Sequence, residues 1–122
     1  MVVRGGINRD PAAIVVNELQ EAVRAGDLPT LCVFADDHRP GEDDDDLLLR
    51  LCLEGPVKHG QVMVSRVGLL AEAGFTILDV RTEYESYCHY EYSFEGSLTS
   101  ADVERWVDCL DLPVPNPGKV RR

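Results

Sequence analysis

The feature that most constrains the fold is an alternation of residue types along residues 84–95. Every second residue from Tyr84 to Phe94 is an aromatic residue, a cysteine or a serine, and the intervening residues are mostly acidic or polar. Side chains of a β-strand point alternately to opposite faces, so this pattern predicts a strand with one buried face and one solvated face. Burial on one side is typical of antiparallel sheets. We therefore expect an antiparallel sheet with helices packed against one face.

Apolar residues at helical spacing predict four helices around this strand. The first covers 11–25, because Asp10 is a suitable N-cap and a proline at the first helical position loses no hydrogen bond. The second covers 43–54 and begins in an acidic run, which the helix dipole favours. The third covers 58–73, and Thr99 begins a fourth helix with apolar residues on one face.

Apolar segments at 30–35 and 75–80 are predicted to be strands that join 84–95 in a three-stranded sheet. The expected fold class is α+β, with a three-stranded antiparallel sheet packed on helices in two layers. The element order fits two arrangements, a ferredoxin-like sandwich or a winged helix. Residues 1–112 are expected to form one domain. Three prolines and the basic residues of 113–122 predict a flexible tail.

The charge of the chain favours a basic protein as its partner. Asp and Glu number 22 against 12 Lys and Arg, a formal net charge of −10. This charge repels phosphate backbones, so we expect no nucleic-acid partner, although a homodimer stays an alternative. No apolar run approaches the ~18 residues of a membrane span, and we expect no membrane contact. Four cysteines without an export signal predict reduced thiols and a cytoplasmic location.

Aromatic side chains framed by acids on the solvated face of the strand resemble a docking patch for a basic partner. The predicted contact residues there are Glu85, Tyr87, His89 and Glu91. The run Asp43, Asp44, Asp45 and Asp46 is predicted to steer the partner by its charge. The leading hypothesis is therefore a small, acidic, non-catalytic protein-binding domain. Immunity proteins and antitoxins that neutralise basic nucleases also use acidic charge to bind a basic partner. The analogy is one of charge alone.

A winged-helix regulator that binds DNA is the alternative hypothesis. In that arrangement the helices over 43–54 and 58–73 would form a helix-turn-helix. Residues 47–70 form the one net-positive internal segment. The residues predicted to contact DNA are Lys58, His59, Gln61, Ser65 and Arg66.

A small enzyme or a metal-binding or ligand-binding domain is the second alternative. Three Cys and His pairs are close in sequence, but the chain has no Cys-x-x-Cys motif, which argues against zinc. The acidic loop could offer oxygen ligands to Mg²⁺ or Ca²⁺, yet it fails the EF-hand pattern. No nucleophile motif or phosphate-binding glycine loop is present. We therefore assign no catalytic residue, metal ligand or cofactor.

Overall fold

The computed structural model describes residues 1–5, 11–55, 57–94 and 100–119. The helices are α1 (Pro11–Arg24), α2 (Asp44–Glu54), α3 (Val67–Glu72) and α4 (Ser100–Asp108). The strands are β1 (Val2–Gly5), β2 (Thr30–Ala35), β3 (Gln61–Ser65), β4 (Ile77–Asp79), β5 (His89–Ser93) and β6 (Val114–Pro115), followed by a 3-10 turn at Pro117–Lys119. Within these ranges, no helix combines the length and the apolar character needed to cross a membrane.

The strands form one antiparallel sheet in the order β4-β5-β2-β1-β3-β6. The α+β class is as predicted, but the three-stranded sheet in two layers is wrong, because β1, β3 and β6 extend it to six strands. The ferredoxin-like and winged-helix arrangements are wrong with it. Helices cover both faces of the six-stranded sheet, and most of the segment predicted as the second helix of a helix-turn-helix is the strand β3 and a loop.

The predicted helix over 58–73 is replaced by β3 and the short helix α3. Val62 and Met63 are both buried although they point to opposite faces of the sheet. Val2 and Val3 of β1 are likewise both buried, one in each of the two hydrophobic cores on opposite faces of the sheet. A strand buried on both faces lacks the alternation that identifies strands in a sequence. This explains why β1 was missed and β3 was taken for a helix.

Only the second half of the predicted strand over 84–95 is a strand, because the preceding segment folds into turns. The backbone amide of Tyr84 donates to the Val80 carbonyl at 3.2 Å, and that of Ser86 donates to the Arg81 carbonyl at 3.1 Å. Glu85 has a φ of 50°, in the left-handed region. The pairing partners of β5 are β2 and β4.

Several other predictions are confirmed within a residue or two. The first helix, the strand over 30–35 and the helix over 43–54 correspond to α1, β2 and α2. The strand over 75–80 is shortened to β4. Asp10, Thr99 and the strand residue Glu95 lie outside the described residues.

The larger core lies between the sheet and the helices α1, α3 and α4. Trp106 of α4 is fully buried, and its ring lies edge-on to Tyr92 at 5.9 Å and to Phe94 at 5.8 Å. Leu19 of α1 and Leu70 of α3 complete the buried cluster on this face. Burial of large aromatic side chains supplies much of the stability of a small domain.

The smaller core lies on the opposite face, where α2 is the one α-helix among the described residues. Leu47, Leu51 and Cys52 of α2 are buried against β1 and β3. The helix begins with a capping box, in which Asp43 accepts a hydrogen bond from the Asp46 amide and Asp46 accepts one from the Asp43 amide. Two of the four predicted steering acids therefore also stabilise the start of α2.

Residues 114–119, expected in a flexible tail, contact the body of the protein. β6 pairs with β3, and the fully buried Asn116 anchors the segment. The Asn116 amide group donates to the carbonyls of Val57 at 3.1 Å and His59 at 2.9 Å. We call residues 112–119 the C-terminal strap, and it runs beside α2 on the face of the smaller core.

Candidate functional site

The predicted contact residues do not form one patch, because Tyr87 turns away from β5. Its hydroxyl donates to Glu54 of α2 and accepts a hydrogen bond from Arg50 at 3.0 Å. Burial, followed by the bond to Glu54, raises the pKa of the Tyr87 hydroxyl. Tyr87 therefore ties the turn before β5 to α2.

Arg50 of α2 joins that helix to the loop over 36–42 and to the turn that contains Tyr87. Its guanidinium donates two hydrogen bonds of 2.8 Å to Glu42 and one of 2.8 Å to Asp36. It also donates to the Asp37 backbone carbonyl at 3.0 Å. The hydrogen bond from Arg50 is the main reason that the pKa of Glu42 falls to about 2. Two of the acids in the acidic loop thus bind the protein's own arginine and are not available to a partner.

His89 and Glu91 lie in β5, where they pair with Phe34 and Cys32 of β2. The His89 ring stacks on Tyr84 with 4.0 Å between centroids, and Phe34 lies edge-on to it at 5.4 Å. Glu91 accepts a hydrogen bond from Thr30 at 3.1 Å and lies 3.8 Å from the Cys32 thiol. The last predicted contact residue, Glu85, is exposed in the turn that precedes β5.

The five residues proposed for DNA contact are not presented by a helix. Lys58 and His59 lie in the loop before β3, where a Cβ at Gly5 would be 2.6 Å from the His59 ring. Gln61 and Ser65 lie in β3, and the Ser65 hydroxyl is committed to the Cys109 carbonyl at 2.6 Å. Arg66 precedes α3 and is exposed. The recognition helix on which the DNA hypothesis depended is thus replaced by a loop and a strand.

Two further acids of the predicted steering run, Asp44 and Asp45, line a groove of about 790 Å³ beside α2. The base of the groove is apolar, because Met1, Leu48 and Val64 line it and also pack against the smaller core. One wall is the first turn of α2, and the opposite wall is the segment from Cys109 through the C-terminal strap. A hydrogen bond of 2.8 Å from the Asp111 amide to the Val64 carbonyl fixes that second wall to β3.

The groove exposes an unusual amount of apolar surface. Its lining includes Leu112 at 85% exposure, Leu69 at 49%, Val67 at 41% and Val114 at 39%. Apolar side chains exposed singly are ordinary, but several around one concavity indicate a binding surface. The volume also falls in the range typical of ligand-binding sites.

The rim of the groove is acidic. Its carboxylates belong to Asp37, Asp44, Asp45 and Asp111, against a single arginine, Arg66. The Asp44 carboxylate lies 2.7 Å from the His38 ring and 3.8 Å from the Arg66 guanidinium. The carboxylates of the other three have no ion-pair partner among the described residues. A cation brought to this rim would therefore meet carboxylates that are not already paired.

The cysteines offer no activated nucleophile. The pKa values of Cys32, Cys52, Cys88 and Cys109 are all raised, in each case mainly by burial of the thiol, and that of Cys52 reaches about 11. Nucleophilic cysteines have lowered pKa values, because the thiolate is the reactive form. In the described part of the chain, no three His, Cys, Asp or Glu side chains are grouped to hold a metal ion.

Sequence reasoning identified the acidic wall of the groove but missed the rest of it. Residues 109–117 are separated from α2 by more than 50 positions, and no local pattern indicates that they form the opposite wall. The one available signal was two apolar residues, Leu112 before Pro113 and Val114 after it, in a segment that a flexible tail would fill with polar residues.

No protein-family model matches this sequence, and comparisons with curated proteins and with solved structures give no match either.

Proposed function

We propose that this chain is a non-catalytic protein-binding domain whose groove receives a basic segment of a partner protein. The observation that supports it is the combination of exposed apolar side chains lining the groove with an acidic rim of largely unpaired carboxylates. Apolar contact would supply affinity, and the carboxylates would select a cationic partner and speed its approach.

A second copy of the chain fits the groove less well than a basic partner. The net charge of −10 makes two copies repel each other, and the rim adds local acids to that repulsion. The same charge disfavours a phosphate-bearing ligand in the groove.

The chain contains a matched pair of sites for a test. The tripeptide Asp-Leu-Pro occurs at 111–113, on the groove wall, and again at 27–29, between α1 and β2 and away from the groove. Asp27 and Leu28 are both exposed, and Leu28 is 64% exposed. The double variant Asp111→Asn/Leu112→Ser can therefore be compared with Asp27→Asn/Leu28→Ser, which makes the same chemical change elsewhere.

The experiment is affinity capture from an extract of the source cells with the wild-type protein and both double variants. We expect a basic protein that binds the wild type and the 27/28 variant, leaves at high salt, and fails to bind the 111/112 variant. Equal capture by both variants would contradict the proposal. So would a groove occupied by a second copy, which size-exclusion chromatography of the purified protein would detect.

A further inference from the structure

The groove also indicates which conformation its occupant has, an inference that rests on the proposed function. We infer that the occupant is an amphipathic helix, with its apolar face on the base of the groove and Lys or Arg on its flanks. The alternative is an extended segment that adds a strand to the sheet. The two differ in where the backbone hydrogen bonds of the bound segment go.

The sheet offers an extended segment almost no backbone partners at the groove. The strand that borders it, β6, has only two residues, and one of them is Pro115, which has no N–H group. The Val114 and Pro115 positions already pair with Val62 and Gln61 of β3. An extended peptide would therefore bury N–H and C=O groups without partners.

A helix satisfies its own backbone hydrogen bonds, so it can lie on a surface made of side chains. The apolar lining of the groove offers such a surface in Leu48, Val64 and Leu69. Carboxylates stand on both walls, with Asp45 on α2 and Asp111 on the opposite side. This arrangement fits a helix with one apolar stripe and cations on either side of that stripe.

The test uses two synthetic peptides of about 18 residues, five helical turns, made of the same numbers of leucine and lysine. In one, leucine recurs at helical spacing, and in the other leucine and lysine alternate as in a strand. A third peptide is the helical one with a central proline. Affinity is measured by fluorescence anisotropy and helix content by circular dichroism, with the wild-type protein and both Asp-Leu-Pro variants.

We expect the helical peptide to bind the wild type at least about tenfold more tightly than either other peptide, a difference of about 1.4 kcal/mol. Its helix content should rise on binding, and the 111/112 variant should lose the preference while the 27/28 variant keeps it. Tight binding of the alternating peptide that the 111/112 variant loses would overturn the helical occupant and leave the proposed function standing. Equal binding of the helical peptide to both variants, or no binding at all, would overturn the inference, and the capture experiment would then decide the proposed function separately.

Discussion

Helices cover the two faces of the sheet to different extents. Three helices cover one face and bury Trp106, Tyr92 and Phe94 completely. Among the described residues, α2 is the one helix on the other face, and apolar side chains beside it stay exposed in the groove. Close-packed aromatic side chains stabilise the fold, whereas the apolar side chains left exposed beside α2 form the surface that we propose binds a partner. The comparison predicts that mutations on the first face act on stability and those around the groove act on binding.

The largest effect should come from Trp106→Ala in the larger core. Removing a fully buried indole that contacts Tyr92 and Phe94 should lower the free energy of unfolding by about 3–5 kcal/mol. Urea denaturation followed by circular dichroism measures this free energy of unfolding. Leu112→Ala, on the groove wall, is the control and should change stability by less than about 0.5 kcal/mol. A comparable loss in both variants would remove the distinction between the two faces.

Arg50→Gln should be the next largest, because it breaks the polar network beside α2. The guanidinium is mostly buried and binds Glu42, Asp36 and Tyr87. Loss of these charge-assisted bonds should cost about 2 kcal/mol in the same denaturation assay. Arg81→Gln removes an exposed pair with Asp79 and should change stability little. Equal losses of stability in the two variants would show that Arg50 does not join α2 to the 36–42 loop and to Tyr87.

The same network makes stability depend on acid pH. The pKa of Glu42 is lowered from 4.5 to about 2 by Arg50, so its contribution is complete above pH 4.5 and is lost as the pH falls toward 2. We expect the wild type to lose more stability than Glu42→Gln over that interval. Denaturation midpoints at several pH values measure the difference. Parallel profiles for the two proteins would contradict the assignment.

Asn116→Ala should act on stability and on the groove together. The buried amide loses its bonds to Val57 and His59, at a cost of about 1–3 kcal/mol. Because Asn116 anchors the strap that forms one wall, the variant should also bind the helical peptide more weakly. Asn17→Ala, an exposed site on α1, is the control for both measurements. Normal peptide binding by the Asn116 variant would show that the strap does not shape the site.

Sequence patterns predicted α1 and β2 and failed at two strands that are buried on both faces. The helix α1 and the strand β2 were predicted because capping residues and local apolar runs are enough to define them. β1 and β3 were not, because Val2, Val3, Val62 and Met63 show no alternation. Tyr87 looked like a surface residue of a strand, since no local pattern reports its contact with Arg50, 37 positions away.

The candidate site was predictable only in its charge. The acidic run at 43–46 was identified, and two of its members stand on the groove rim, but the opposite wall depends on long-range packing. Long-range contacts depend on the register of the whole sheet, which a single strand's sequence does not specify.

The most direct test of the difference between the two faces is an NMR titration of the ¹⁵N-labelled protein with the helical leucine-lysine peptide. The account predicts backbone amide shifts in the first turn of α2, in residues 64–69 and in residues 109–114, with residues 27–31 unchanged. Shifts confined to β5 and the turn before it, around Glu85, His89 and Glu91, would contradict it and return the binding site to the strand where the sequence first placed it.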